Sequence, residues 1–210
     1  MPELTMLPKV VPIRNKELTK ERLVKAVGKV VAEVGFQRLG VNHVAREAGV
    51  DKKLIYRYFG GLRGLVAKYG RSIDFWPSAE ELLRGEREAV KGMPPNELMA
   101  LFFKRYLHAI LERPHTLEIL AWEAIERNEL TEALEEVRAK SALEFFELMD
   151  EDPPDDVDLT ALVILMAGAV NFLAVRSRIH KTLGGVDLQT AEGWRRIEKT
   201  IDQVMDGVLK

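Results

Sequence analysis

Cysteine is absent from all 210 residues. That excludes disulfides and thiolate metal sites and fits a reducing compartment. Histidine is scarce, at four residues. The only Glu-x-x-His pair, Glu112 and His115, is interrupted by Pro114, whereas a helical di-metal centre needs two such pairs and further glutamates. His43, His108 and His180 stand apart from it. No H-E-x-x-H and no phosphate-cradling glycine loop occurs, and carboxylates such as Glu135 and Glu136 read as solvated helix surface. An enzyme is therefore not expected, nor a metal or a cofactor. Long apolar runs are missing too. The longest, "LVILMAGAVNFLAV" (162–175), falls short of the roughly 20 residues of a membrane helix and contains Asn171. The opening "MPELTMLPKVVPIRNKELT" lacks the apolar centre of a secretory signal. A soluble, cytoplasmic protein is the expectation.

Sustained alternation of apolar and polar residues is absent as well, so no sheet is expected. Residues 1–16 carry Pro2, Pro8 and Pro12 without a period and read as a flexible arm bearing Lys9, Arg14 and Lys16. From Thr19, a plausible N-cap, Leu23, Val24, Val27, Val30, Val31 and Val34 recur at helical steps up to Gly35. Short helices follow over 41–47 and 52–58, the second capped by Asp51. A fourth is expected over 62–76, ended by Pro77. Further helices are predicted near 79–90, 97–112, 115–127, 131–149, 158–181 and 190–208, separated by "GMPPN", "RPH", "RNE", "DPPDD" and "GGVD". The fold class is all-α. It comprises an arm (1–16), a three-helix unit with its linking helix (17–76) and a larger bundle (77–210).

Charge is present but unevenly placed. Residues 9–71 hold 15 Lys and Arg against five Asp and Glu, a net of +10, while residues 72–210 hold 16 against 27, a net of −11. The basic part suits a polyanion that the acidic part would repel. Within it, "VNHVAREAGVDKKLIYRYF" reads as two helices meeting at a sharp turn. Ala45 permits close approach, and Gly49 can take the left-handed conformation that ends the first helix. With Val44, Ala48, Val50, Ile55 and Tyr58 inward, Lys52, Lys53, Leu54 and Arg57 fall on or near the outer face of the second. That is a helix-turn-helix, whose second helix fits the major groove.

These residues carry a resemblance. "TKERLVKAVGKVVAEVGF", "VNHVAREAGV" and "LIYRYF", spaced without a gap, resemble the DNA-binding domain of the TetR family of transcriptional regulators over residues 19–65. The resemblance implies a homodimer on a pseudo-palindromic operator in double-stranded DNA. It also implies a phosphate contact from Tyr56, base readout by the residues just before it, and a C-terminal domain that binds a small effector and dimerises. Four positions depart from the family pattern: Gly40 and Asp51 replace the usual hydroxyl caps, Lys53 a small residue, and Leu62 a lysine. The expected DNA-binding set is Arg46, Lys52, Lys53, Leu54, Tyr56, Arg57, Tyr58 and Arg63. Lysine can donate to guanine O6 and N7, and Leu54 can pack on a thymine methyl. Tyr56 and Arg57 can donate to phosphate, which fixes register rather than sequence. The aromatics Phe36 and Phe59 read as core.

For the effector pocket the sequence offers polar or aromatic residues inside apolar stretches. Tyr106, His108, Trp122 and Asn171 are the candidates, with Glu118 and Glu123 beside them; such residues are more often ordinary core or surface positions. The last two helices suggest a four-helix dimer interface, with Gly168, Phe172, Trp194 and Ile201 as contacts; the alternative is that 162–175 is the core of one subunit. The expected function is a ligand-responsive regulator, a repressor by resemblance, in which the effector shifts the helix over 62–76. The rival is an architectural DNA-binding protein with no effector.

Overall fold

The computed structural model describes residues 13–72, 75–125, 127–147 and 154–210. The chain forms two compact units, Met1–Tyr69 and Gly70–Lys210.

In the first unit, α1 (Ile13–Val34) buries Leu23, Ala26, Val27, Val30 and Val31. Their three- and four-residue spacing is the stripe that makes this segment a helix. The helix begins six residues before Thr19, so the C-terminal end of the expected arm is helical; the rest of the arm lies outside the described residues, as do the side chains of Arg14 and Phe36. α2 (Val41–Ala48) packs on α1 through Val44, Ala45 and Ala48. Gly49, at φ 61°, ends it, with its N–H donating to Arg46 and that of Val50 to Ala45, each at 3.0 Å. This left-handed cap needs a residue without a Cβ penalty. Arg22 on α1 donates to the Ala48 carbonyl at 2.5 Å, placing a cation on the C-terminal end of α2.

α3 (Lys53–Phe59) follows at once, with Ile55 wholly buried. Asp51 accepts from the Lys53 N–H at 2.8 Å, so the departure at this position caps the helix. α4 (Leu62–Gly70) buries Leu65, Val66 and Tyr69. It ends at Gly70 rather than near 76, and a turn at Arg71 and Ser72 follows.

In the second unit the segment expected as one helix over 79–90 is two: α5 (Ala79–Leu83) and α6 (Arg87–Val90). Arg84 at φ 54° and Gly85 at φ 75° break it. The freed carbonyls of Leu82 and Leu83 accept from Arg105, both at 2.9 Å. Arg105 lies on α7 (Pro95–Leu111), the core helix, whose Leu98, Met99, Phe103, Leu107 and Ile110 are almost fully buried. α8 (Pro114–Glu123) and α9 (Glu129–Phe146) follow, the latter opened by a capping box between Asn128 and Thr131. α10 (Leu159–Ser177) and α11 (Ala191–Leu209) both pack on α7.

Between α10 and α11 lies an unexpected hairpin. β1 (Thr182–Leu183) pairs antiparallel with β2 (Val186–Asp187), in register Thr182 to Asp187. The left-handed pair Gly184–Gly185 makes its two-residue turn. Four residues are too few for an alternation to be seen, and the same glycines read equally well as a helix–helix loop.

α10 bears on the alternative left by the sequence. Only Val170 and Ala174 on it are buried. Ile164, Leu165, Gly168 and Phe172 line an exposed stripe, with Leu165 at 71% and Phe172 at 55%; Ile179, just past the helix, is exposed too. The run 162–175 is therefore not a fully buried core helix. Ile201 is the reverse case: expected at the dimer interface, it is 3% exposed and packed in the unit's own core. Trp194 is half-buried against the same core.

Candidate nucleic-acid interface and ligand cavity

The interface begins at Gly40. Its extended backbone (φ −149°, ψ 156°) opens α2 without a side-chain cap. The N–H groups of a first helical turn have no partner within the helix, and with no capping side chain they stay open to an anion. Around them, Arg38, Asn42, His43, Lys52 and Tyr56 enclose a recess of about 330 Å³ with Gly40 at its edge. Lys52 Nζ donates to Asn42 Oδ1 at 3.3 Å, and the Arg38 carbonyl lies 2.9 Å from His43 Nδ1. The recess thus combines a helix N-terminus, a lysine and a phenol, groups that each favour a phosphate oxygen.

Beside the recess, Lys53, Tyr56 and Arg57 are exposed at i, i+3 and i+4, which places them on one face of α3. Tyr56 is 57% exposed, a high value for an aromatic with no role in packing. Lys52 and Arg46 are exposed too, as is Arg63 near the start of α4. Leu54 and Tyr58 are partly covered. The Tyr58 ring has Lys16 and Arg57 over it, at 5.9 and 6.0 Å from its centroid. Both cations lie at the outer limit of cation–π reach.

Residues 20–69, the segment that builds this surface, match the family model described as bacterial regulatory proteins, tetR family. Over this segment the chain is similar to the TetR family. Over 57 residues the chain is 39% identical to the HTH-type transcriptional regulator BetI of Vibrio campbellii; the match covers 27% of the chain and 29% of that protein. The sequence likeness thus spans under a third of the curated relatives' length. The fold likeness is far wider. A TetR family transcription regulator from Marinobacter aquaeolei superposes with a TM-score of 0.60 over 93% of this chain and 97% of that one, at 17% identity. NalD, the secondary repressor of the MexAB-OprM multidrug efflux pump in Pseudomonas aeruginosa, does so with a TM-score of 0.63 over 93% and 97%, at 18% identity.

In the second unit a cavity of about 180 Å³ lies among α7, α9, α10 and the loop before α5. Of the four candidates from sequence, two meet there. Tyr106 Oη donates to Asn171 Oδ1 at 2.5 Å, and burial pushes the Tyr106 phenol far above its usual range. The other two do not line it. His108 points to α11, where its Nε2 lies 2.5 Å from Glu198 Oε1. Trp122 is partly exposed on α8, away from the lining residues.

The indole in the cavity wall is Trp76, 5.5 Å from the Tyr106 ring; next to Pro77, it reads in sequence as part of a helix stop. Phe102 stacks parallel to Tyr106 at 5.8 Å. The cation in the wall is Arg138, 5.4 Å over Trp76. It is paired with Glu123 through Nη1–Oε1 at 2.9 Å and Nη2–Oε2 at 2.7 Å. In "EEVRAKSA" Arg138 looks like solvated surface. Its signal is the series Leu134, Arg138, Ser141, Ala142 and Phe145, which lies on one face at helical spacing.

Burial raises the Glu123 carboxyl above its ordinary 4.5, and Glu135 pushes the same way, while Arg138 opposes both. An acid whose folded pKa is raised stabilises the fold fully below pH 4.5 and loses that contribution as pH rises through the folded pKa. Glu123→Gln, which cannot titrate, should lose this component. The difference in melting temperature between wild type and variant is thus expected to shift in favour of the variant as pH rises from 4.5. A difference constant with pH would contradict the burial of this carboxyl.

Proposed function

We propose that this chain is a DNA-binding transcriptional regulator, a repressor acting as a homodimer on a pseudo-palindromic operator and released by a small molecule in the Trp76–Arg138 cavity. The observation that carries the reading is the face of Lys53, Tyr56 and Arg57 on α3, flanked by the anion-receptive start of α2. A second copy is the occupant that fits the exposed apolar stripe of α10, since an isologous contact buries both stripes at once. Two copies present two α3 helices, which must stand about 34–36 Å apart to enter successive major grooves. A chromosomal target also sets the compartment in which the chain works.

Signal transmission has a short physical route. Gly70, the last residue of α4, lies so near Leu134 on α9 that a Cβ would meet its Cδ2 at 2.7 Å. Arg138 is one turn further along α9. A ligand that binds better in one placement of α9 would bias the end of α4, and only such differential affinity can move the equilibrium. The cavity also favours this reading over an architectural protein with no effector, for which a filled core would serve.

Lys53→Ala and Tyr56→Phe separate readout from anchoring. The first removes a base-edge donor and should cost about 1–3 kcal/mol on the preferred sequence and little on others. The second removes a phosphate hydrogen bond and should weaken all duplexes alike. Fluorescence anisotropy on a preferred and a scrambled duplex measures both. Equal losses on both sequences for both variants would contradict the assigned roles.

A further inference from the structure

The cavity's chemistry restricts what it can hold. Its volume, about 180 Å³, is below the roughly 300–1,000 Å³ of sites for drug-sized ligands. It slightly exceeds the about 150 Å³ in which an engineered apolar cavity admits benzene. One aromatic ring with a small head group fits that space. The walls suit a flat body: Trp76 and Phe102 both pack on the Tyr106 ring, and Val163 and Ala167 add aliphatic surface from α10.

The lining residues carry several donors, and among them the one with a full charge is a cation. Asn171 spends its Oδ1 on the Tyr106 hydroxyl, which leaves its amide Nδ2 to donate. Arg138 can only donate, and Ser141 adds a hydroxyl at the same wall. Arg138 lines the cavity whereas its partner Glu123 does not, so a cationic head group would meet a like charge despite the aromatic walls. From this set of donors we infer that the cavity takes a compact aromatic carboxylate, with the ring between Phe102 and Val163 and the carboxylate on Arg138 and the Asn171 amide. Carboxylate is the strongest acceptor of this size, and a guanidinium binds it with two parallel hydrogen bonds. Burial makes the Glu123 carboxyl easier to protonate than a free one, which lowers the cost of releasing Arg138 to a second anion. The inference rests on the reading of this cavity as the effector site.

The test uses the full chain without DNA. Benzoate, phenylacetate and indole-3-carboxylate are titrated against benzamide, phenylacetamide and benzylamine. The readouts are tryptophan fluorescence, to which Trp76 contributes, and thermal shift. Carboxylates are expected to bind at least about tenfold tighter than the matching amides, with benzylamine not binding. The double variant Arg138→Gln with Glu123→Gln removes both charges of the pair together and should abolish the preference for acid over amide. A second variant, Ala167→Phe, fills the cavity and should remove binding of every compound.

Three results would overturn the inference: amides or benzylamine binding as tightly as the acids, an unchanged preference in the double variant, or no binding by any member of the panel. Duplex binding is measured separately. A chain that binds the acids but no DNA keeps the ligand assignment and loses the regulatory one; the converse outcome does the opposite.

Discussion

Gly64→Ala is expected to disrupt the junction between α3 and α4 and to reduce duplex affinity to the level of non-specific binding, whereas Gly168→Ala leaves the fold intact. A Cβ at Gly64 would sit 1.9 Å from the Phe59 carbonyl oxygen and 3.0 Å from its carbon. Both are backbone atoms and cannot rotate aside. Either α4 retreats by more than an ångström or the last turn of α3 opens, and in both cases the face carrying Tyr56 and Arg57 changes direction. Overpacking of this kind costs about 1–3 kcal/mol even where side chains can adjust, and here none can. For a unit of this size each kcal/mol lowers the melting temperature by about 4–8 °C.

Gly60 is the control that separates sterics from backbone strain. It has positive φ (73°), but an added Cβ there would meet nothing within 4 Å, so Gly60→Ala should cost only the left-handed penalty of about 1–2 kcal/mol. At Gly168 an added methyl meets nothing within 4 Å of the protomer. Circular dichroism melts and anisotropy titrations read all three. A Gly64→Ala protein with unchanged melting temperature and affinity would contradict the close contact.

The second large effect is expected on α10. Leu165→Glu with Phe172→Glu should yield a folded monomer that has lost about 10²–10⁴-fold in operator affinity, the range by which two linked binding modules exceed one. Leu165 is 71% and Phe172 55% exposed within the protomer, so carboxylates there meet water in the monomer and cost its fold little. In a dimer they would be buried against a second apolar stripe, at several kcal/mol for each unpaired charge. Sedimentation velocity should show half the wild-type mass with an unchanged thermal midpoint at low concentration. If the doubly substituted chain sediments as wild type does, α10 is not the interface. If it unfolds, the stripe belongs to the protomer's own core.

The sequence was most informative where a local rule leaves one solution. Leu23, Val27, Val30 and Val31 can be buried together only by a helix, and Gly49 allows only one kind of helix end. The turn between α2 and α3, and therefore the outward face of Lys53, Tyr56 and Arg57, follows from residues adjacent in the chain. The cavity follows from residues far apart. Tyr106 was legible as a polar group in an apolar stretch, and so was Asn171, but their pairing across 65 positions was not. Trp122 and Trp76 are equally plausible wall residues until the loop before α5 is placed.

Arg138 was hidden because α9 carries charge on several faces, and a charge half-buried by its neighbours looks the same in sequence as a solvated one. Ile201 was misassigned to the interface because an amphipathic helix shows which face is apolar but not whose core that face enters. The steric demand at Gly64 had no local signature; it arises from how the chain leaves Gly60 and Gly61, where φ is 73° and 136°.

The decisive measurement is the salt dependence of duplex binding. Duplexes selected from a randomised pool by the full-length chain would be titrated by anisotropy from low to physiological salt. Log Kobs is expected to fall linearly with log salt, with a slope of about −0.9 for each phosphate neutralised. Arg57→Ala should reduce the slope by about two units per dimer, one from each α3, while Tyr56→Phe, which removes no charge, lowers affinity without altering it. Failure to enrich any duplex, or an affinity indifferent to salt, would contradict the central claim that α3 and the start of α2 form a DNA-binding surface.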